Sequence, residues 1–194
     1  VGKIDVDVRA LGVDLLSVAG HKLYAPKGVG ALYVRRGLAL GPLLVGASHE
    51  RGLRPGTENV ASIAGLGAAC AAAREELAAA WTRTGALRDR LEAALGRGGF
   101  VVHGAAGPRL PNTTNGRFPG VRGAALLERT PEIAASTGSA CHAGEEHPSA
   151  VLSAMGLTRD DALGAVRLSL GRGTTEADVD RAALLLLAAA AKAR

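Results

Sequence analysis

Lys22 is the first residue with a chemical argument attached. It stands in Ser17-Val18-Ala19-Gly20-His21-Lys22-Leu23-Tyr24-Ala25-Pro26-Lys27-Gly28-Val29-Gly30. The apolar run Val13 to Val18 before it reads as a buried strand, and Ala31 to Val34 after the Pro/Gly bend as a second. An amine at the end of a buried strand is short of water. Desolvation favours its neutral form, which makes it nucleophilic near neutral pH, as a Schiff-base lysine must be. A solvated lysine in a loop between strands fits the same spacing. Cys141 is the second candidate. It follows Thr137-Gly138-Ser139-Ala140 and precedes His142-Ala143-Gly144-Glu145-Glu146-His147-Pro148. An accessible sulfur beside an imidazole suits a reactive thiolate. An inert loop cysteine is equally compatible, and a metal site with His142 and His147 is weaker because no second cysteine pair accompanies them. Arg167 is the third. Polar and apolar residues alternate from Ala165 to Leu170, so Arg167 and Ser169 share one strand face. Arg167 is then either a plain exposed arginine or a fork that grips a carboxylate with two hydrogen bonds.

The string Ser-x-x-Gly-His-Lys-x-Tyr-x-Pro-Lys-Gly-x-Gly, from Ser17 to Gly30, resembles the cofactor-lysine segment of the class V (fold type I) aminotransferase superfamily. Within it the likeness is to the cysteine desulfurases. Three further motifs share that resemblance. His-Glu-Arg-Gly-x-Arg-x-Gly-Thr runs from His49 to Thr57, Ser-x-Gly-Ser-Ala-Cys ends at Cys141 before Pro-Ser-x-Val-Leu, and Arg-x-Ser-x-Gly-Arg starts at Arg167. The resemblance implies that Lys22 carries pyridoxal 5'-phosphate as a Schiff base, with His21, Gly20 and Ala19 around the cofactor. Relatives often have a serine that contacts the phosphate where this chain has Ala19. The resemblance implies that Thr57 reaches the phosphate of the other subunit of a homodimer; a hydroxyl with backbone N–H groups suits a phosphate. It implies that Arg167 binds the substrate carboxylate and that Cys141 accepts sulfur. Asn112, in Leu-Pro-Asn-Thr, matches a family position without an assigned chemistry.

The implied reaction converts L-cysteine to L-alanine and leaves a persulfide on Cys141 for an acceptor or scaffold protein. The long form of the cysteine loop is similar to that of desulfurases serving iron–sulfur cluster assembly or thiolation. Two other readings stay in play: a selenocysteine lyase, and an inactive half-chain or dimerising module. In the family, the segment at Val1 follows a strand that carries an aspartate and a glutamine to the cofactor. The chain therefore reads as the C-terminal half of a longer protein, expected to bind pyridoxal phosphate weakly and to be inactive alone.

Composition narrows the alternatives. The chain has 194 residues, a formal charge of +5 and 3% aromatic residues. The charge is dispersed, with no basic stripe interleaved with aromatics, which argues against nucleic-acid binding. No apolar run is long and charge-free enough to span a membrane, and no signal peptide is seen. Two cysteines, Cys70 and Cys141, make no disulfide framework, so a reducing, cytoplasmic setting is the default.

These residues need positioning elements. The resemblance implies an α/β, fold type I architecture: the end of a large cofactor-binding domain over 1–60, a connecting helix over 61–98, and a small C-terminal α/β domain over 99–194. Asp7 to Leu11 reads as a helical turn, and Ser48 to Asn59 as an exposed loop. Asn59 can cap the helix. Ile63, Leu66, Cys70, Ala73, Leu77 and Trp81 recur at helical spacing and make one apolar face, with Cys70 buried in it and Leu87 and Leu91 continuing the pattern. Strands are expected at Phe100–His103, Thr113–Phe118, Ile133–Ser136 and Ala165–Leu170, and helices at Gly123–Arg129 and Ser149–Met155. Thr158/Asp161 and Thr175/Asp178 read as capping boxes for the last two helices.

Overall fold

The structure is a computed structural model. It describes residues 1–137 and 147–193, so Cys141 and His142 lie outside the described residues. The chain divides into two compact units, Val1–Ala78 and Ala79–Arg194.

The first unit is built on a hairpin. Strand β1 (Leu15–Ala19) pairs antiparallel with β2 (Gly30–Val34), Leu15 opposite Val34 and Ala19 opposite Gly30. A 3-10 turn, Gly20–Leu23, follows β1 directly. Arg35 closes the open end: it pairs with Asp14 at 3.0 Å and donates to the carbonyls of Gly12 and Val13 at 2.7 and 3.1 Å. Helix α1 (Val60–Gly96) begins as its cap residue requires. Asn59 accepts from the Ser62 N–H at 3.2 Å through its side chain and from the Ile63 N–H at 3.0 Å through its carbonyl. The core of this unit is small: Leu23, Ala25 and Leu66 are buried, with Val18, Val29, Ala69 and Ala73 packed against them.

The second unit has the larger core. Strands β3 (Val101–Val102), β4 (Thr113–Arg117) and β5 (Val166–Ser169) form an antiparallel sheet in that order. Thr114 and Gly116 of β4 and Val166 and Leu168 of β5 turn inward. Val166 and Leu168 meet Leu91 and Leu95 of α1 and Val179, Ala183 and Leu186 of α5 (Glu176–Lys192; α2 to α4 follow) in one apolar cluster. Leu95 and Leu186 are fully buried, each worth about 1.5–3 kcal/mol of burial. Phe100 and Phe118 stack edge to face at 5.1 Å. Gly116 allows that contact, because a Cβ there would lie 2.5 Å from the Phe100 ring. Short helices α2 (Gly123–Glu128), α3 (Ala150–Ala154) and α4 (Arg159–Leu163) complete the unit. Among the described residues no helix is long and apolar enough to cross a membrane.

Several expectations are corrected. β1 is not a buried strand; Leu15 is 43% exposed, because a two-stranded ribbon covers itself on one side only. Cys70 is exposed. The helix row against the hairpin is Leu66, Ala69 and Ala73, and Cys70 is turned about 100° from Ala69. Ile63 and Trp81 are also exposed, at 43% and 46%. Ile133–Ser136 forms no strand; only Ser136 makes a bridge, to Arg167. The Thr158/Asp161 box is half made. Thr158 accepts from the Asp161 N–H, but the Asp161 carboxylate turns to Arg117 at 2.7 Å.

Candidate functional site

The first unit presents two groups of candidate residues. Gly20 and Leu23 are buried in the 3-10 turn and hold it against the core, and His21 and Lys22 between them are exposed. The chain reverses at Tyr24, which adopts the left-handed region (φ 66°, ψ 17°). For a tyrosine this costs roughly 1–2 kcal/mol. The N–H groups of Tyr24 and Ala25 both donate to the Gly20 carbonyl, and the Lys3 ammonium sits 5.0 Å from the centre of the Tyr24 ring. The turn is therefore fixed by its backbone, and the lysine is presented outward. Within this chain Lys22 is not desolvated, which corrects the expectation of a buried amine. Gly20 has a steric part: a Cβ there would lie 2.6 Å from the Val29 carbonyl oxygen. Its own N–H is spent on that carbonyl at 2.9 Å.

The segment His49 to Thr57 is the second group. Glu50 and Arg51 occupy the left-handed region in succession (φ 49° and 59°), followed by Gly52 at φ 81° and Gly56 at φ 97°. Such strain persists only where the surroundings over-determine it. Arg54 donates to the carbonyls of Gly56 and Thr57 at 2.8 and 3.0 Å. This grips the backbone at Thr57, whose side chain is at an exposed position. The His49 Nδ1 is buried without a partner among the described residues.

Arg167 belongs to the second unit. It lies on β5 opposite Asn115 and faces away from the core. Its N–H donates to the Ser136 carbonyl at 2.6 Å, and its carbonyl accepts from the Ser136 N–H at 3.3 Å. The strand that carries the arginine is thus hydrogen-bonded to the residue five positions before Cys141. A polar row that sequence reasoning missed continues across this face. His103 Nδ1 meets Asn115 Oδ1 at 2.7 Å and His103 Nε2 meets an Arg117 guanidinium nitrogen at 3.3 Å. The arginine can only donate, so Nε2 accepts and Nδ1 carries the proton given to Asn115. Arg117 also binds Asp161 and holds that carboxyl below its ordinary range. The alternation of Asn115, Gly116 and Arg117 on β4 was the available signal for this row. A groove of about 380 Å³ opens beside Ser169, lined also by Ile133, Thr174, Asp178 and Arg181. Asn112 proves structural: its side chain donates to the Leu170 carbonyl at 2.9 Å.

The residues present suit pyridoxal phosphate in part. Lys22 supplies an outward primary amine on a fixed turn, His21 stands beside it, and Thr57 adds a hydroxyl. Ala19 has no hydroxyl and the Gly20 amide is already engaged, so neither offers the phosphate a hydrogen bond through those atoms.

Residues 1–182 match the family model "Aminotransferase class-V". The cysteine desulfurase of Gluconacetobacter diazotrophicus is 51% identical over 185 residues, covering 93% of this chain and 46% of that protein. The cysteine desulfurase NifS of Azotobacter vinelandii is 48% identical over 186 residues, covering 93% and 46%. A solved NifS-like protein superposes with a TM-score of 0.84 at 36% identity, covering 96% of this chain and 49% of that one. The backbone is therefore that of about half of this fold. The chain spans about half the length of the relatives it matches.

Proposed function

Because the chain belongs to the aminotransferase class-V family, we propose that it is the portion of a cysteine desulfurase that carries the cofactor lysine, the carboxylate-binding arginine and the sulfur-accepting cysteine. The observation that carries this reading is the 51% identity to a cysteine desulfurase over 93% of the chain. The outward Lys22 on a rigid turn and the outward Arg167 on β5 support it.

In this reading Lys22, His21 and Thr57 hold pyridoxal phosphate, Thr57 from the second subunit of a homodimer. Bound there, the cofactor supplies an electron sink for bond breaking at the substrate Cα and Cβ. Arg167 grips the carboxylate of L-cysteine and fixes which bond faces the catalytic groups. The Lys22 amine moves the proton at Cα. Cys141, as a thiolate, attacks the substrate sulfur. The new S–S bond forms as the Cβ–S bond breaks, and the electron pair left on the carbon skeleton is protonated to give L-alanine. No outside oxidant is required, since the sulfur arrives in the persulfide as the carbon is reduced. An acceptor protein then takes the persulfide sulfur, for cluster assembly or thiolation.

The test is single-turnover persulfide formation from L-cysteine by the full-length protein that carries this chain. Cys141→Ser is expected to abolish persulfide while leaving the cofactor absorbance band intact. Lys22→Ala is expected to abolish both. Turnover that survives Cys141→Ser would overturn the sulfur-acceptor role and turn the reading to a selenocysteine lyase.

A further inference from the structure

β5 is an edge strand. One side pairs with β4, and the other, among the described residues, makes a single bridge, to Ser136. Its alternation puts Val166 and Leu168 in the core and Arg167 and Ser169 outside. A slip of one residue would exchange those faces and turn Arg167 inward. Burial of Val166 and Leu168 therefore fixes the register, and what the end of the strand can still set is the aim of the outward Arg167.

That end is held closely. The Leu170 N–H donates to the Asn112 carbonyl at 2.7 Å, and the Leu170 carbonyl accepts from the Asn112 side chain at 2.9 Å. The next four residues close on themselves. The Gly171 N–H donates to the Thr174 hydroxyl at 2.9 Å, and the Thr174 N–H donates to the Gly171 carbonyl at 3.3 Å. Arg83, on α1, fills the mouth of this turn. Its Nη1 donates to the Thr174 carbonyl at 2.8 Å, and its Nη2 to the carbonyls of Arg172 and Gly171 at 2.7 and 3.3 Å. Three carbonyl dipoles converge on one guanidinium. The start of α5 does not need them, because Thr175 and Asp178 already cap it reciprocally. The contacts instead act on the turn between β5 and that cap.

We propose that Arg83 is a positioning residue for substrate binding: it clamps the Gly171–Thr174 turn and so fixes the aim of Arg167. The inference rests on the reading of Arg167 as the carboxylate fork. Arg83 touches neither substrate nor cofactor in this account and acts only through the end of β5. Lysine cannot replace it fully, since one ammonium does not span three carbonyls as a planar fork does.

The test uses the pyridoxal-phosphate-loaded full-length protein with Arg83→Met, Arg83→Lys, Arg167→Ala and Arg109→Met. The last breaks the Arg109–Glu92 pair elsewhere in the same unit and controls for a general loss of stability. Arg83→Met is expected to raise KM for L-cysteine about tenfold and to keep kcat within about twofold. Arg83→Lys should fall between it and wild type, and Arg109→Met should keep the wild-type KM. Amide exchange at Leu170 to Thr174 should quicken in Arg83→Met and not in Arg109→Met. A folded Arg83→Met with wild-type KM overturns the proposal, as does an equal KM rise in Arg109→Met. If Arg83→Met does not fold, an unchanged KM in Arg83→Lys overturns it. If Arg167→Ala keeps the wild-type KM, the carboxylate reading falls and takes the proposal with it. If Arg167→Ala raises KM and the Arg83 variants do not, the proposal alone falls.

Discussion

Thr114 is almost fully buried on β4, and its hydroxyl has no partner among the described residues. A buried hydroxyl without a hydrogen bond carries its desolvation cost uncompensated, so replacing it with a methyl of the same shape removes that cost. Thr114→Val is expected to stabilise the second unit by about 1 kcal/mol, read as a higher midpoint in thermal unfolding; a lower midpoint would reveal a partner for the hydroxyl. The candidate residues differ in how far they could be read beforehand. Lys22, Thr57 and Arg167 stood out as motif positions through the family resemblance of the segments that carry them, since spacing alone fits an ordinary loop or strand residue at each. The exposure of Lys22 was not legible, since the apolar run beside it says nothing about how many faces of the hairpin are covered. Nor was the His103–Asn115–Arg117–Asp161 row, which needs the pairing of strands far apart in sequence.

Helix α5 shows an element whose start was fully legible. Thr175 accepts from the Asp178 N–H at 3.2 Å, and the Asp178 carboxylate accepts from the Thr175 hydroxyl at 2.7 Å and from its N–H at 2.9 Å. The hydroxyl and then the amide hold the Asp178 carboxyl below its ordinary range. A depressed carboxyl stabilises the fold above its unfolded value, and that contribution is lost as pH falls through the native value. Asp178→Asn should therefore flatten the decline of the unfolding midpoint between about pH 5 and pH 2; a decline as steep as wild type would deny the linkage. Thr175→Ala should cost about 1 kcal/mol at neutral pH. The box at Thr158 read the same way in sequence and came out half made, because Arg117 competes for Asp161. Local spacing registers a cap but not a distant guanidinium. The strand expected at Ile133–Ser136 failed for a related reason: β5 offered it a partner at Ser136 alone.

The two units are unequally provided with core. Among the described residues the second buries fifteen apolar residues in one cluster, and the first only Leu23, Ala25 and Leu66 in its own. The first also exposes Leu43, Val45 and Val60 at 95%, 89% and 71%. A fragment of residues 79–194 is expected to unfold cooperatively by circular dichroism, and a fragment of residues 1–78 to show no cooperative transition. Cooperative melting of the smaller fragment would contradict this account. The mix of strands and helices was legible because the periodicity changes from strand to helix along the chain, and the fold type came from the family resemblance. The exposed face of α1 was not legible, since an apolar row reads the same whether or not anything covers it.

The order of the strands has a consequence in time. β1 and β2 are joined by a short segment and can meet as soon as both exist. β4 ends at Arg117 and β5 begins at Val166, so their ladder waits on a closure of nearly fifty residues, the kind of distant pairing that slows folding. Cys141 is in the intervening stretch. On a ribosome, the hairpin that presents Lys22 can form first, whereas the strand that sets Arg167 and ties down Ser136 is made later. The amine is thus in place before the arginine, and the sulfur-bearing segment is anchored at its root only when the sheet closes.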